Sequence, residues 1–501
     1  MTDGSLPRRI WWLGLFIILC FVAVFLQLNN LQVLQSNKLA NSPKNPAVLA
    51  ARFDEPRGDI TSAEGIILAE SVKAPPGSAY DYQREYPTGS LFGQITGVFS
   101  YYYGLYGVEA SYNSYLTAHN APVKTLRDLL TTSTETDTVI LTLSDKLQTD
   151  AQTALGDRDG SIVVLDPTTG AIEAMYSNPS YDPNPLGSQI SSTASDAWIA
   201  DTATPDHLGN EPFTSLAYQD IAFPGSTFKI VDTAAAYQHA PQLVDAYMPY
   251  YTCIPPHTFG GQSTPLCNFG DTGCGGDIAE MLPPSCDTGY AQLGVRIGAA
   301  DMTTEADSFG FNSQPPIDLP PSSNEVSDFL QPSCYQNAQV FLAFSSIGQD
   351  CTKASPLQMA MVAAAVANGG VIMTPHVMSQ IRDTQGQLVK ADTPTAWLTP
   401  MSAATAKAIN HLMVEVAQVG TAAGIFPYTE DVAAKTGTAQ VENAAGQYIA
   451  TNDWMIAFAP AAAPRVAVAV ELLDQPVSGT GAAEAGPVMR TIIADALASG
   501  S

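Results

Sequence analysis

The chain has 501 residues, more than one compact core accommodates, so two or three domains are expected. It carries 48 acidic and 21 basic side chains for a formal charge of −27, and only 14% of its residues are charged. So acidic a chain repels phosphate backbones, which excludes nucleic acid as a partner, and its 46% hydrophobic content excludes a disordered acidic tail.

The first element is the run IWWLGLFIILCFVAVFLQL at 10–28, free of charge and close to the length that crosses a ~30 Å hydrocarbon core. It predicts a transmembrane helix. Arg8 and Arg9 precede it, so the positive-inside rule puts residues 1–9 in the cytoplasm and the remainder on the outer side of the cell membrane. No small-x-small cleavage site follows Leu28, where the chain continues NNLQVLQSNK, which favours an uncleaved anchor over a signal peptide.

Residues 29–138 show little sustained periodicity. RGDITSAEGIILAES at 57–71 alternates as a hairpin about Glu64-Gly65, and 86–109 is rich in Tyr and Gly, so this stretch predicts an accessory domain. There is no internal repeat and no low-complexity tract.

A different texture begins at 139. SDKLQTDAQTALG at 144–156 places Leu147, Ala151, Ala154 and Leu155 on one helical face behind a Ser144 N-cap. Two apolar strands flank an Asp-Pro-Thr-Thr-Gly turn in 160–177. Three more strands are predicted at 432–442, 452–460 and 465–474, and a closing helix at 486–498. Strands at both ends with helices between them predict an α+β domain over 139–501, its antiparallel sheet assembled from distant parts of the chain.

Cys20 lies in the anchor and six further cysteines lie beyond it. An exported chain permits disulfides, and Cys253 with Cys267 and Cys334 with Cys351 would close short loops, with Cys274 and Cys286 as the third pair. No C-x-x-C or His-x-x-His spacing occurs, so neither a metal nor another cofactor is expected.

Candidate chemistry starts at FPGSTFKIVDTAAAYQ, 223–238. Pro224 and Gly225 break the preceding structure, and the helical pattern that follows puts Ser226 at a helix N-terminus with Lys229 on the same face. A serine hydroxyl needs a nearby base, and a partly desolvated, neutral lysine serves, with the helix terminus favouring developing negative charge. The second element is Lys435-Thr436-Gly437-Thr438 inside a strand pattern. An interior strand glycine marks close approach of a ligand or backbone, and a lysine with two hydroxyls suits a carboxylate-ended peptide laid along the strand edge. The six histidines are scattered singly, away from Ser226, which disfavours a Ser-His-Asp triad.

Ser226-x-x-Lys229 followed by Lys435-Thr436-Gly437 resembles the signature of penicillin-binding proteins and serine β-lactamases. RGDI at 57–60, YGVE at 106–109, SIGQ at 346–349, PLQMAMVAAAVANGG at 356–370 and DWMIAFAP at 453–460 narrow the resemblance to class B penicillin-binding proteins. It is most similar to the actinobacterial type without C-terminal repeats. The resemblance implies a penicillin-binding transpeptidase domain, an antiparallel sheet with helices on both faces, preceded by the anchor and a small, mostly-β, dimerisation-like pedestal over 29–138. It further implies Ser226 as the acylated nucleophile, Lys229 as its proton acceptor, and the backbone amides of Ser226 and Thr438 as the oxyanion hole. Lys435 would supply positive potential, and Thr436 and Thr438 would hold the substrate carboxylate.

The family's Ser-x-Asn motif aligns with Ser285-Cys286-Asp287. Ser285 can still pass a proton between Lys229 and the leaving amine. Asp287 lacks the amide N–H of asparagine, and as a carboxylate it raises the pKa of Lys229 and weakens it as a base. Ser322-Ser323-Asn324 and Ser111-Tyr112-Asn113 also fit the literal pattern and are read as loop residues. The implied activity is D,D-transpeptidation of the peptidoglycan stem pentapeptide, with β-lactam antibiotics as covalent mimics. Residues 29–138 are too few for a glycosyltransferase, so a membrane glycan polymerase is the expected partner. Alternatives are a D,D-carboxypeptidase or β-lactamase, and a non-catalytic β-lactam-sensing or division scaffold in which Asp287 marks a degenerate site.

Overall fold

The computed structural model describes residues 6–30, 52–76, 78–120, 134–203, 212–260, 264–321, 326–332, 339–427, 430–443 and 445–499. The N-terminal apolar run forms the helix Leu6–Asn29, whose side chains from Ile10 to Leu28 are largely exposed. By length and composition, Ile10–Asn29 is able to cross a membrane. This helix belongs to a small compact unit with residues 72–83, in which Tyr82 N donates to Phe53 O at 2.9 Å and Ala74 N to Asp81 O at 2.9 Å.

The larger unit is built on the sheet that the sequence foretells. Its five antiparallel strands run in the order Ile172–Asn178, Gly160–Leu165, Val466–Gln475, Tyr448–Ala459, Ala433–Glu442. The N-terminal and C-terminal strands meet at the centre, where Val163 pairs with Ala469. Gly160–Leu165 is buried throughout and Val466–Gln475 nearly so, because helices cover both faces. Asp145–Leu155 and Ala485–Ser499 pack on each other and on the sheet, while Pro356–Ala367 lies against the three strands at its centre. That last helix is apolar but for Gln358, buried from Pro356 to Val366, and is started by Pro356 behind an N-cap in which Ser355 Oγ accepts from Gln358 N at 3.2 Å.

Ser144 caps Asp145–Leu155 as expected, accepting from Leu147 N at 3.3 Å. The pattern missed Gln148, fully buried on that helix, whose amide bonds the backbone N and O of Met175 at 2.9 and 2.8 Å. The hairpin at 57–71 forms with Gly65 at φ +85°, and Ile60–Thr61 pairs antiparallel with Ile67–Lys73. A second, mixed sheet continues from this hairpin. Ile60–Thr61 also pairs parallel with Thr138–Leu141, which is followed in the sheet by Met378–Arg382 and Leu388–Ala391. The sheet therefore draws strands from both sides of residue 138.

The RGDI and YGVE segments meet in this region as a buried ion cluster. Arg57 Nε and Arg84 Nε donate to opposite oxygens of Glu109 at 2.5 and 2.6 Å, and all three side chains are almost wholly buried. Burial pushes the Glu109 carboxyl up, but the two guanidiniums outweigh it and hold the group below its ordinary value. Ser111 and Asn113 are not loop residues. Ser111 ends the short helix Gly107–Ser111, and Asn113 starts Asn113–Leu116 and accepts from Arg57 Nη1 at 2.9 Å. Ser322-Ser323-Asn324 lies outside the described residues.

Candidate active site

Ser226 sits in a tight turn rather than in the first turn of an α-helix. A 3₁₀ segment, Gly225–Phe228, precedes the helix Lys229–His239, because Pro224 and Gly225, at φ +53°, turn the chain too sharply for α geometry. In 3₁₀ geometry residues three apart eclipse, which brings Lys229 closer to Ser226 than an α-turn would. The turn is held from three sides. Gly225 N donates to Gly348 O at 2.9 Å, and a Cβ on Gly348 would lie 1.9 Å from Gly225 O, so the SIGQ segment fits only as glycine. A Cβ on Gly225 would stand 2.9 Å from the carbonyl of Thr438. Behind the turn, Phe228 stacks on Phe329 and meets Phe311 edge-on.

The Lys229 ammonium lies at the centre of the site, wholly buried. It donates to Ser226 Oγ at 2.9 Å, to Ser285 O at 2.8 Å and to Asp287 Oδ1 at 2.6 Å. Ser226 Oγ in turn donates to Asp287 Oδ1 at 3.3 Å. Tyr290 presents its ring 5.4 Å from Lys229 Nζ, fixed by a 2.8 Å hydrogen bond between its hydroxyl and Thr233. Burial holds Lys229 below the ordinary lysine range, and Asp287 opposes that shift by charge and hydrogen bond. Asp287 thus acts in the direction expected from the sequence, but desolvation outweighs it.

Ser285 links the two lysines. Its Oγ accepts from Lys435 Nζ at 2.8 Å and lies 3.3 Å from Lys229 Nζ. Its backbone adopts φ +62°, a left-handed conformation that costs a non-glycine residue on the order of 1 kcal/mol or more. That strain turns both its carbonyl and its hydroxyl towards the lysines, and the Cys274–Cys286 disulfide tethers the next residue. Asp287 begins the helix Asp287–Ile297, where the dipole favours an acidic side chain. Lys435 is buried and lies well below the ordinary lysine range because of desolvation first and the neighbouring Lys229 second.

Lys435, Thr436, Gly437 and Thr438 lie consecutively on Ala433–Glu442. Gly437 is required by crowding: a Cβ there would stand 2.6 Å from Pro224 O, and Gly481 closes over the same strand, its N donating to Thr438 Oγ1 at 3.0 Å. Thr436 and Thr421 hydroxyls bond each other at 2.6 Å. A cavity of about 500 Å³ opens here, and the hydroxyl-bearing residues Ser226, Ser285, Thr421, Thr436, Thr438 and Thr480 are among those that line it. The eight residues singled out in the sequence are therefore brought together.

Sequence reasoning missed several neighbours. Thr421, Thr480 and Tyr290 carry no motif of their own and arrive by tertiary packing. Asp232, one turn beyond Lys229, is fully buried with neither carboxyl oxygen hydrogen-bonded among the described residues, and burial pushes its pKa well up. Its place in an apolar helical stretch was the signal available. The Cys253–Cys267 and Cys274–Cys286 disulfides are both present, while Cys334 lies outside the described residues.

A serine held by a buried lysine beside a Lys-Thr-Gly strand has the chemistry of serine acyl transfer, on the fold expected for it. The chain belongs to the penicillin-binding protein transpeptidase family, as a class B member. Residues 160–494 match the penicillin binding protein transpeptidase domain, and 57–139 match the penicillin binding protein A dimerisation domain. It is similar to the peptidoglycan D,D-transpeptidase PbpA of Mycolicibacterium smegmatis, 32% identical over 487 residues that cover 94% of this chain and 95% of the relative. Among solved structures, penicillin-binding protein A of Mycobacterium tuberculosis in its ceftriaxone acyl-enzyme complex superposes with a TM-score of 0.79. It is 30% identical, over 89% of this chain and 100% of that one. The D,D-transpeptidase domain of a peptidoglycan glycosyltransferase from Eggerthella lenta gives 0.72 at 30% identity, over 88% and 99%.

Proposed function

We propose that this chain is a membrane-anchored peptidoglycan D,D-transpeptidase, with residues 1–9 cytoplasmic, 10–28 spanning the membrane, 29–138 a pedestal and 139–501 the transpeptidase domain. The observation that carries this reading is the 2.9 Å contact between Ser226 Oγ and a buried Lys229 whose pKa is lowered by desolvation. Once neutral, Lys229 accepts the Ser226 proton as Oγ attacks the carbonyl of the D-Ala-D-Ala bond. The backbone amides of Ser226 and Thr438 receive the oxyanion, a contribution of about 3 kcal/mol per donor. As the C–N bond breaks, the proton passes by way of Ser285 to the departing D-alanine nitrogen. Lys435 supplies positive potential, and Thr436 and Thr438 hold the terminal carboxylate.

The acyl-enzyme then passes to an amine of a neighbouring stem peptide, and β-lactams stall at the acyl stage. The relatives' names support this reading: PbpA is called a peptidoglycan D,D-transpeptidase, and the M. tuberculosis protein was captured as a β-lactam acyl-enzyme. A membrane glycan polymerase would supply the strands to be joined. The experiment is reconstitution of the full chain with such a polymerase and lipid-linked precursor. Cross-linked muropeptides with release of D-alanine are expected, and both are lost in Ser226→Ala. D-alanine release without cross-links would instead make the chain a carboxypeptidase.

A further inference from the structure

Asp287 stands on the wall between two cavities. One is the space that Ser226 lines; the other, of about 400 Å³, shares Asn268, Phe269, Asp287 and Thr438 with it but is not lined by Ser226. This second cavity is walled by Phe344, Ile347 and Tyr448, with Gln349 and Gln440, and among the described residues that line it Asp287 alone carries a formal charge. The Asp287 side chain is 16% exposed. Its Oδ1 is engaged by Lys229 and Ser226, and among the described residues no hydrogen bond engages Oδ2. An aliphatic chain ending in an amine finds apolar walls and one anion there.

Resting on the transpeptidase reading, we infer that the second cavity takes the amine-bearing end of the acceptor peptide and that Asp287 selects an amine over water as the acceptor. The step is aminolysis of the Ser226 ester. The nitrogen lone pair bonds to the acyl carbon, the carbonyl electrons move to oxygen, and the nitrogen becomes positively charged. The C–O bond to Ser226 then breaks, the nitrogen loses its proton, and that proton reaches Ser226 Oγ through Lys229, 2.9 Å away. Asp287 lies 3.3 Å from that same Oγ and faces the charge as it develops on nitrogen. Water sheds its proton as it attacks and carries less of that charge, so a carboxylate here favours the amine. An asparagine at this position offers only a dipole.

The test compares the fates of one acyl-enzyme. The full chain in detergent is given a D-alanyl thioester donor, with D-alaninamide as the amine acceptor and, separately, methanol as a neutral one; amide, methyl ester and free acid are quantified. Asp287→Asn is expected to lower the ratio of amide to acid about tenfold while leaving the ratio of methyl ester to acid within twofold. An unchanged amide ratio, or equal falls in both ratios, overturns the inference. Because a ratio does not depend on how fast the acyl-enzyme forms, a slower Asp287→Asn still reports. Phe344→Ala provides an independent check: it should raise several-fold the D-alaninamide concentration that gives half-maximal aminolysis, and no change would remove the cavity from the acceptor's path. Failure of wild type to form the acyl-enzyme would refute the transpeptidase reading itself.

Discussion

Gly481→Ala puts a methyl group into occupied space. The added Cβ would lie 2.2 Å from Gly437 O and 2.3 Å from Trp454 O. An ordinary contact is roughly 3.5 Å, so the clash demands a shift of about 1 Å. Both oxygens are backbone atoms of strands paired at Gly437 and Trp454, and the neighbouring Thr438 Oγ1 accepts from Gly481 N. Neither strand yields alone, and the strand that moves carries Lys435 to Thr438. Overpacking of this kind destabilises by about 1–3 kcal/mol. Misplacing the site by about 1 Å slows acylation on the order of 100-fold. The assay is the second-order rate of labelling by a fluorescent penicillin in stopped flow, with a thermal melt on the same sample. Gly187→Ala is the control, since its Cβ meets nothing nearer than 3.5 Å. Labelling of Gly481→Ala within threefold of wild type would refute the claim that this glycine sets the position of the Lys-Thr-Gly strand.

Acylation should rise with pH as Lys229 loses its proton, over a range below that of ordinary lysines because the folded group is buried. Asp287→Asn should move that rise to still lower pH by removing the carboxylate that opposes burial, and superimposable profiles would show that Asp287 does not act on Lys229. Glu109→Gln leaves Arg57 and Arg84 buried without their counter-charge and should cost about 3–5 kcal/mol in urea unfolding, whereas a loss below about 1 kcal/mol would contradict the buried-cluster account. Replacing Cys274 and Cys286 together by serine frees the residue between Ser285 and Asp287, and penicillin labelling should slow about tenfold; an unaffected rate would show that the disulfide does not hold these side chains.

The sheet was legible because its strands are runs of apolar residues that periodicity picks out, and Ser144 announced its helix through an ordinary cap. Ser226 and Lys435 were legible for a different reason: their chemistry is carried by short local patterns. What those patterns left unsaid is long-range. The parallel pairing of Ile60 with Val139 joins residues about 80 positions apart, and the recruitment of Met378–Arg382 to the same sheet joins residues more than 200 apart. Local texture there stops at 138, while the sheet does not. Thr421 reaches the cavity by the same kind of packing. The 3₁₀ turn at Ser226 escaped because periodicity cannot separate three residues per turn from 3.6 over four residues. For Lys229 the sequence supplied the sign of the Asp287 effect but not its rival, since complete burial of a lysine is a property of the fold.

Acylation of Ser226, activated by Lys229, is the step on which the proposed chemistry rests. Mass spectrometry of the full chain after exposure to penicillin G, with peptide mapping of the adduct, tests it directly. A single stable penicilloyl adduct is expected on the peptide containing Ser226, absent from Ser226→Ala and strongly slowed in Lys229→Ala. No adduct on wild type, or an adduct that persists in Ser226→Ala, would contradict it.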